Sequence, residues 1–146
     1  SPTRPALLAR RVTWNRLPLD AELMHREAQC LVGTHDFTSY RATACQSSTP
    51  VRDVYSVSVR RQRDLLLLEI EANAFLMHMI RNIAGVLMAI GCGRRDAGWA
   101  QQVLEARDRR CGGVTAPPHG LYFLGASYPE RFGLPEIAAG PDFSFL

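Results

Sequence analysis

At 146 residues, 47% hydrophobic and 21% charged, the chain has room for one core but not for two separate domains. No run reaches the roughly 18 uninterrupted apolar residues that a membrane span needs, because His78, Arg81 and Asn82 break the longest candidate. The formal net charge is +3 and all 17 basic residues are arginine. A GC-rich genome would produce that bias, which also suits phosphate, since the planar guanidinium donates two parallel hydrogen bonds.

The opening "SPTRPALLARR" has neither an initiator methionine nor the apolar centre of a signal peptide, so it reads as part of something longer. Cys30, Cys45, Cys92 and Cys111 lie far apart and form no CxxC pair. That spacing argues against a zinc site, and with no secretion signal the expectation is reduced thiols in a cytoplasmic protein. "PLDAELMHREAQCLVG" predicts a helix capped by Asp20 and closed by Gly33, with Met24, Ala28 and Leu31 at helical spacing. "DFTSYRA" predicts a short helical turn running into the loop "TACQSSTP".

In "VRDVYSVSVRRQ" apolar and polar residues alternate, which places Tyr55, Val57 and Val59 on one strand face and Ser56, Ser58 and Arg60 on the other. "DLLLLEIEAN" repeats that period with Leu66, Leu68, Ile70 and Ala72 inward, and the short "RQRD" link makes the two an antiparallel hairpin. A long helix follows from about Phe75 to Ile90, and "DAGWAQQVLEARD" predicts another capped by Asp96. The glycines and prolines of "RCGGVTAPPHG" exclude regular structure, "LYFLGASYP" gives one more strand, and the tail "PEIAAGPDFSFL" is irregular. The order defines an α+β fold, an antiparallel sheet with helices packed on one face, as a single domain over residues 1–146.

The long helix carries a guanidinium where apolar residues dominate. On a helical wheel, Phe75, Leu76, Met79, Ile80, Ile83, Val86, Leu87 and Ile90 share an arc of about 140°, which belongs to the core. His78, Arg81, Asn82, Gly85 and Ala89 share another arc of about 100°. Gly inside a helix costs about 1 kcal/mol relative to Ala, so a backbone or a ligand is expected to come close at Gly85. No acidic residue lies on this helix, and a buried guanidinium without a partner costs several kcal/mol. Its counter-charge must come from another segment. Within the chain Glu69, Glu71 or Asp36 are candidates; otherwise Arg81 serves a reacting carboxylate or a phosphate.

Three stretches, "GTHDFTSYRATACQSSTPVRDV", "EIEANAFLMHMIRNIAGVLMAIGCG" and "VTAPPHGLYFLGASYP", resemble in this order the motifs of the TruA family of tRNA pseudouridine synthases. The likeness covers nearly the whole chain and corresponds to the C-terminal half of such enzymes. It implies half of a pseudouridine-synthase fold and an isomerase that converts uridine to pseudouridine in the tRNA anticodon arm. It further implies a homodimer and no metal or cofactor. The family's nucleophilic aspartate lies in a "GRTDAGVH"-like motif, which these residues lack, as they lack its "RxYxY" segment. Asp36 belongs to the separate "HDF" motif and is not that nucleophile. The resemblance assigns Arg81 to pairing with and orienting the catalytic aspartate. It places Leu121 against the target base, with Gly120 letting the loop approach and His78 at the cleft. His35, Arg41 and Arg52 become candidate RNA contacts.

Two other classes compete. One is a non-catalytic RNA-binding or dimerisation module, although the aromatic motifs of ordinary RNA-recognition domains are missing. The other is a hydrolase that uses Glu69 and Glu71 as a carboxylate pair, a pattern common on strands.

Overall fold

The structure, a computed structural model, describes residue 6, residues 8–128 and residues 130–133. Helix α1 (Ala21–Ala28) begins where expected: Asp20 is extended and its carboxylate accepts from the Leu23 N–H. It ends in a short 3₁₀ turn, Gln29–Leu31. Gly33, expected just past the helix end, instead opens strand β1 (Gly33–Asp36) with φ of 108°. The helical turn expected in "DFTSYRA" is the 3₁₀ segment Thr38–Tyr40.

Strands β2 (Val51–Gln62) and β3 (Leu65–Ala72) form the expected antiparallel hairpin, and β1 pairs antiparallel with β2 to give the order β1-β2-β3. Gln62 faces Leu65 across a two-residue link in which Arg63 has φ of 52°, the positive φ that suits the twist of a tight hairpin. One expectation fails on β2. Tyr55 does not share the face of Val57 and Val59, because the register slips between Val54 and Ser56. The bulge puts Val54 inside and leaves Tyr55 59% exposed.

Past β1, the edge of β2 is closed by side chains of α1 and of the 3₁₀ turn that follows it. Gln29 donates to the Val57 carbonyl at 3.0 Å and His25 Nδ1 accepts from the Val59 N–H at 3.2 Å. This covers the strand edge where the partner strand is too short.

The long helix starts later than its apolar period suggests. Helix α2 spans Met79–Gly91, and His78 sits before it in the left-handed region with φ of 60°, where a helix cannot continue. Leu76 is still buried, while Phe75 and Met77 are exposed. Helix α3 spans Trp99–Ala106 behind a left-handed Gly98. Asp96 supplies no side-chain cap; only its carbonyl accepts from the Trp99 N–H.

The strand expected in "LYFLGASYP" is not formed: residues 121–128 carry no ladder. Its apolar residues satisfy the sequence pattern, but a strand also needs a paired neighbour, and no described strand lies beside it. The tail expected to be irregular, residues 135–146, lies outside the described residues. Buried residues of α1, α2, α3 and β2 form one core, with Leu66, Leu68, Ile70 and Ala72 of β3 packed against it as expected.

Candidate functional site

Arg81 lies in the first turn of α2, half-buried. Its Nε donates to the Ala116 carbonyl at 2.8 Å, and the Ala116 N–H donates back to the Arg81 carbonyl at 3.0 Å. Among the described residues no carboxylate pairs with it. The three internal candidates are engaged elsewhere or turned to solvent: Glu69 pairs with Arg60 at 3.3 Å, Asp36 meets Arg107 at 4.0 Å, and Glu71 is exposed. The guanidinium is anchored at one nitrogen, and its two terminal nitrogens make no hydrogen bond among the described residues. An end-on fork of that kind fits a carboxylate or a phosphate.

The close approach anticipated at Gly85 is made by backbone. A Cβ there would collide with the Val114 carbonyl oxygen. The polar face of α2 therefore seats the loop after α3. Asn82, 2% exposed, is the residue whose importance the sequence did not single out. Its amide donates to the Tyr40 carbonyl at 2.7 Å, and its Oδ1 accepts from the Thr115 hydroxyl at 2.6 Å and from Arg109 at 3.0 Å. The signal for it was available: a polar residue beside Arg81 on the arc that also holds Gly85.

The loop continues to Gly120, whose φ is 84°. The space its missing side chain leaves is filled by the backbone of Val12 and Thr13, against which a Cβ would clash at 2.9 Å. Leu121 follows, 50% exposed, with Phe123 78% exposed beyond it. His78 is exposed at the start of α2, and its carbonyl accepts from the Asn82 N–H. Leaving the sequence expectation aside, nothing in the described contacts ties the His78 or Leu121 side chains to Arg81.

His35, Arg41 and Arg52 gather elsewhere. His35 and Arg52 are opposite each other in the β1–β2 register. Arg41 and Arg52 both flank Cys45, whose thiol is held below its usual pKa chiefly by the Ser47 and Met77 N–H groups and secondarily by these two cations. Arg52 is mostly committed to its own loop, donating to the Thr49 carbonyl at 2.9 Å and the Ser47 hydroxyl at 2.8 Å. His35 Nε2 lies 2.8 Å from the Val32 carbonyl. For Asp36, burial works against ionisation, but the Thr38 hydroxyl and N–H, then Arg107 and Arg41, outweigh it and keep the carboxyl below its ordinary value. A half-buried carboxylate held ionised in this way suits an ion pair better than proton donation.

A cleft of about 330 Å³ lies between β1 and α3, with His35, Asp36, Glu105 and Arg107 on its walls. A second, of about 590 Å³, lies between the start of α1 and β2, with Asp20, His25, Arg60 and Arg61. Arg81, His78 and Leu121 line neither. Among the described residues no group of His, Cys, Asp and Glu side chains is placed to hold a metal, and no helix is long and apolar enough to cross a membrane.

The family model described as tRNA pseudouridine synthase covers residues 28–129, and the chain belongs to that family. Among its relatives, tRNA pseudouridine synthase A of Pseudomonas aeruginosa is 57% identical over 142 residues, covering 97% of this chain and 50% of the relative. The enzymes of the same name from Alcanivorax borkumensis and Coxiella burnetii are 53% and 51% identical over 137 and 140 residues, covering 94% and 96% of this chain and 51% and 54% of those relatives. The chain spans about half the length of the curated relatives it matches.

Proposed function

We propose that this chain is the C-terminal half of a tRNA pseudouridine synthase that isomerises uridine in the anticodon arm, as a homodimer in the cytoplasm. In this reading a carboxylate nucleophile from the other half assists detachment of uracil from its sugar. The base turns in the pocket and rejoins through carbon. Arg81 keeps that carboxylate ionised and aimed, since an adjacent cation favours the charged form. Leu121 and Gly120 form the loop that faces the base, with His78 at the cleft rim. The single observation that carries the reading is the state of Arg81: held at Nε by the Ala116 carbonyl, with no carboxylate partner among the described residues. The exposed side chains of Leu121, Phe123 and Leu124, neighbours in the sequence, support a covered surface here.

A chimera tests this. Residues of this chain replace the matching half of the Pseudomonas aeruginosa relative, and the product is incubated with unmodified tRNA. Pseudouridine is expected from the chimera and none from the 146-residue chain alone. A well-folded chimera that makes no pseudouridine, while the intact relative does, overturns the proposal.

Of the three candidate RNA contacts, Arg41 donates no side-chain hydrogen bond among the described residues, whereas Arg52 is tied to its own loop, so Arg41 is the better phosphate ligand. In the chimera, Arg41→Ala is expected to lower the slope of log affinity against log salt by about one unit. Measured tRNA binding across a salt series with an unchanged slope would remove Arg41 from the footprint.

A further inference from the structure

The network around Asn82 offers more than packing. Its orientation is forced: Nδ2 faces a carbonyl, which only accepts, while Oδ1 receives two donors. Because Oδ1 cannot donate, the Thr115 hydroxyl gives its proton to Asn82 and turns a lone pair to Arg109, which donates to it at 2.9 Å. The same Arg109 terminal nitrogen, with two N–H groups shared among three acceptors, also reaches the Gly113 carbonyl at 3.0 Å. One buried amide thus fixes Thr115, whose neighbour Ala116 holds Arg81 Nε at 2.8 Å.

We infer that Asn82, Thr115 and Arg109 are positioning residues for the reaction. They set the place of the Ala116 carbonyl and through it the direction in which the Arg81 fork points. The inference rests on the role proposed above for Arg81. A guanidinium on a flexible stem is aimed only if a second point is fixed, and here the second point belongs to a loop that the network pins to α2. A small misalignment of a reacting group can cost about 10²-fold in rate, so a lost hydroxyl in this network should register in turnover before it registers in binding.

The test uses the active full-length chimera and single-turnover kinetics on unmodified tRNA. Thr115→Val keeps the bulk and removes the hydroxyl; Thr115→Ser restores it. Thr115→Val is expected to slow the reaction at least about tenfold, with tRNA affinity within about twofold of the parent. Thr115→Ser is expected to react close to the parent rate. In an Arg81→Ala background Thr115→Val is expected to add nothing further, since residues acting through one group are not additive. Arg109→Lys, which keeps the charge and loses the fork, should slow the reaction in the same way and decides the matter if Thr115→Val does not fold.

Parent rates for folded Thr115→Val and Arg109→Lys, equal rates for the Val and Ser variants, or effects that multiply with Arg81→Ala would each overturn the inference. The two readings fail separately. If Arg81→Ala turns over normally, the role proposed for Arg81 falls. If Arg81→Ala is nearly inactive while Thr115→Val is normal, only the positioning role falls.

Discussion

Arg81→Ala, in the active full-length chimera, is expected to lower turnover by roughly 10²–10⁴-fold while leaving tRNA affinity within about threefold. The magnitude follows from what the side chain does. Removing one partner of a buried ion pair costs about 3–5 kcal/mol, chiefly because the other charge is left uncompensated, and each 1.4 kcal/mol is about tenfold. If that other charge is the nucleophilic carboxylate, the loss falls on the chemical step. Binding is carried by many phosphate contacts, of which a single arginine is a small share. Arg81→Lys should fall between, since lysine keeps the charge but cannot donate to the Ala116 carbonyl and a carboxylate in the same fork geometry. Single-turnover rates and equilibrium binding on the same preparations check this. Equal losses in both, or none in either, would show that Arg81 is not aimed at a reacting group.

What could be read in advance divides along a physical line. Periodicity found the hairpin because β2 and β3 each bury one face, and a period of two records that face directly. It found the special face of α2 for the same reason, and the cost of a glycine inside that helix showed that something must come close at Gly85. It could not say what came close, because the seating of residues 113–116 is a long-range event with no local pattern. Tyr55 was misplaced because a bulge adds one residue to one strand, and nothing in an alternating run marks where the extra residue sits. Phe75 to His78 fit the helix period since Leu76 does reach the core, yet His78 turns left-handed and delays the start. "LYFLGASYP" has strand composition, but composition does not supply a partner. Arg81 was legible as a charge in need of a mate, and its anchor on Ala116 was not.

Gly85→Ala should destabilise the protein even though it improves the helix, and the two effects can be compared. Alanine in a helix interior gains about 1 kcal/mol over glycine. Against this stands a methyl group directed into the Val114 carbonyl, with the Val114 carbon and the Ala116 nitrogen also close. Overpacking of a fixed site costs about 1–3 kcal/mol, and more when the obstacle is backbone. The loop has little freedom to retreat: the Ala116 N–H donates to the Arg81 carbonyl, Arg109 holds the Gly113 carbonyl, and Thr115 is bonded to Asn82. If the loop moves instead, those contacts are what it gives up, and Arg81 loses its anchor. A net loss of about 2 kcal/mol is therefore expected, or roughly 4–8 °C in melting temperature for a chain of this size, together with a fall in turnover of the full-length enzyme. Thermal melts of the parent and the variant decide it. A melting temperature that rises would mean that helix propensity wins, that the loop is free to move away from α2, and that the seating described for residues 113–116 is wrong.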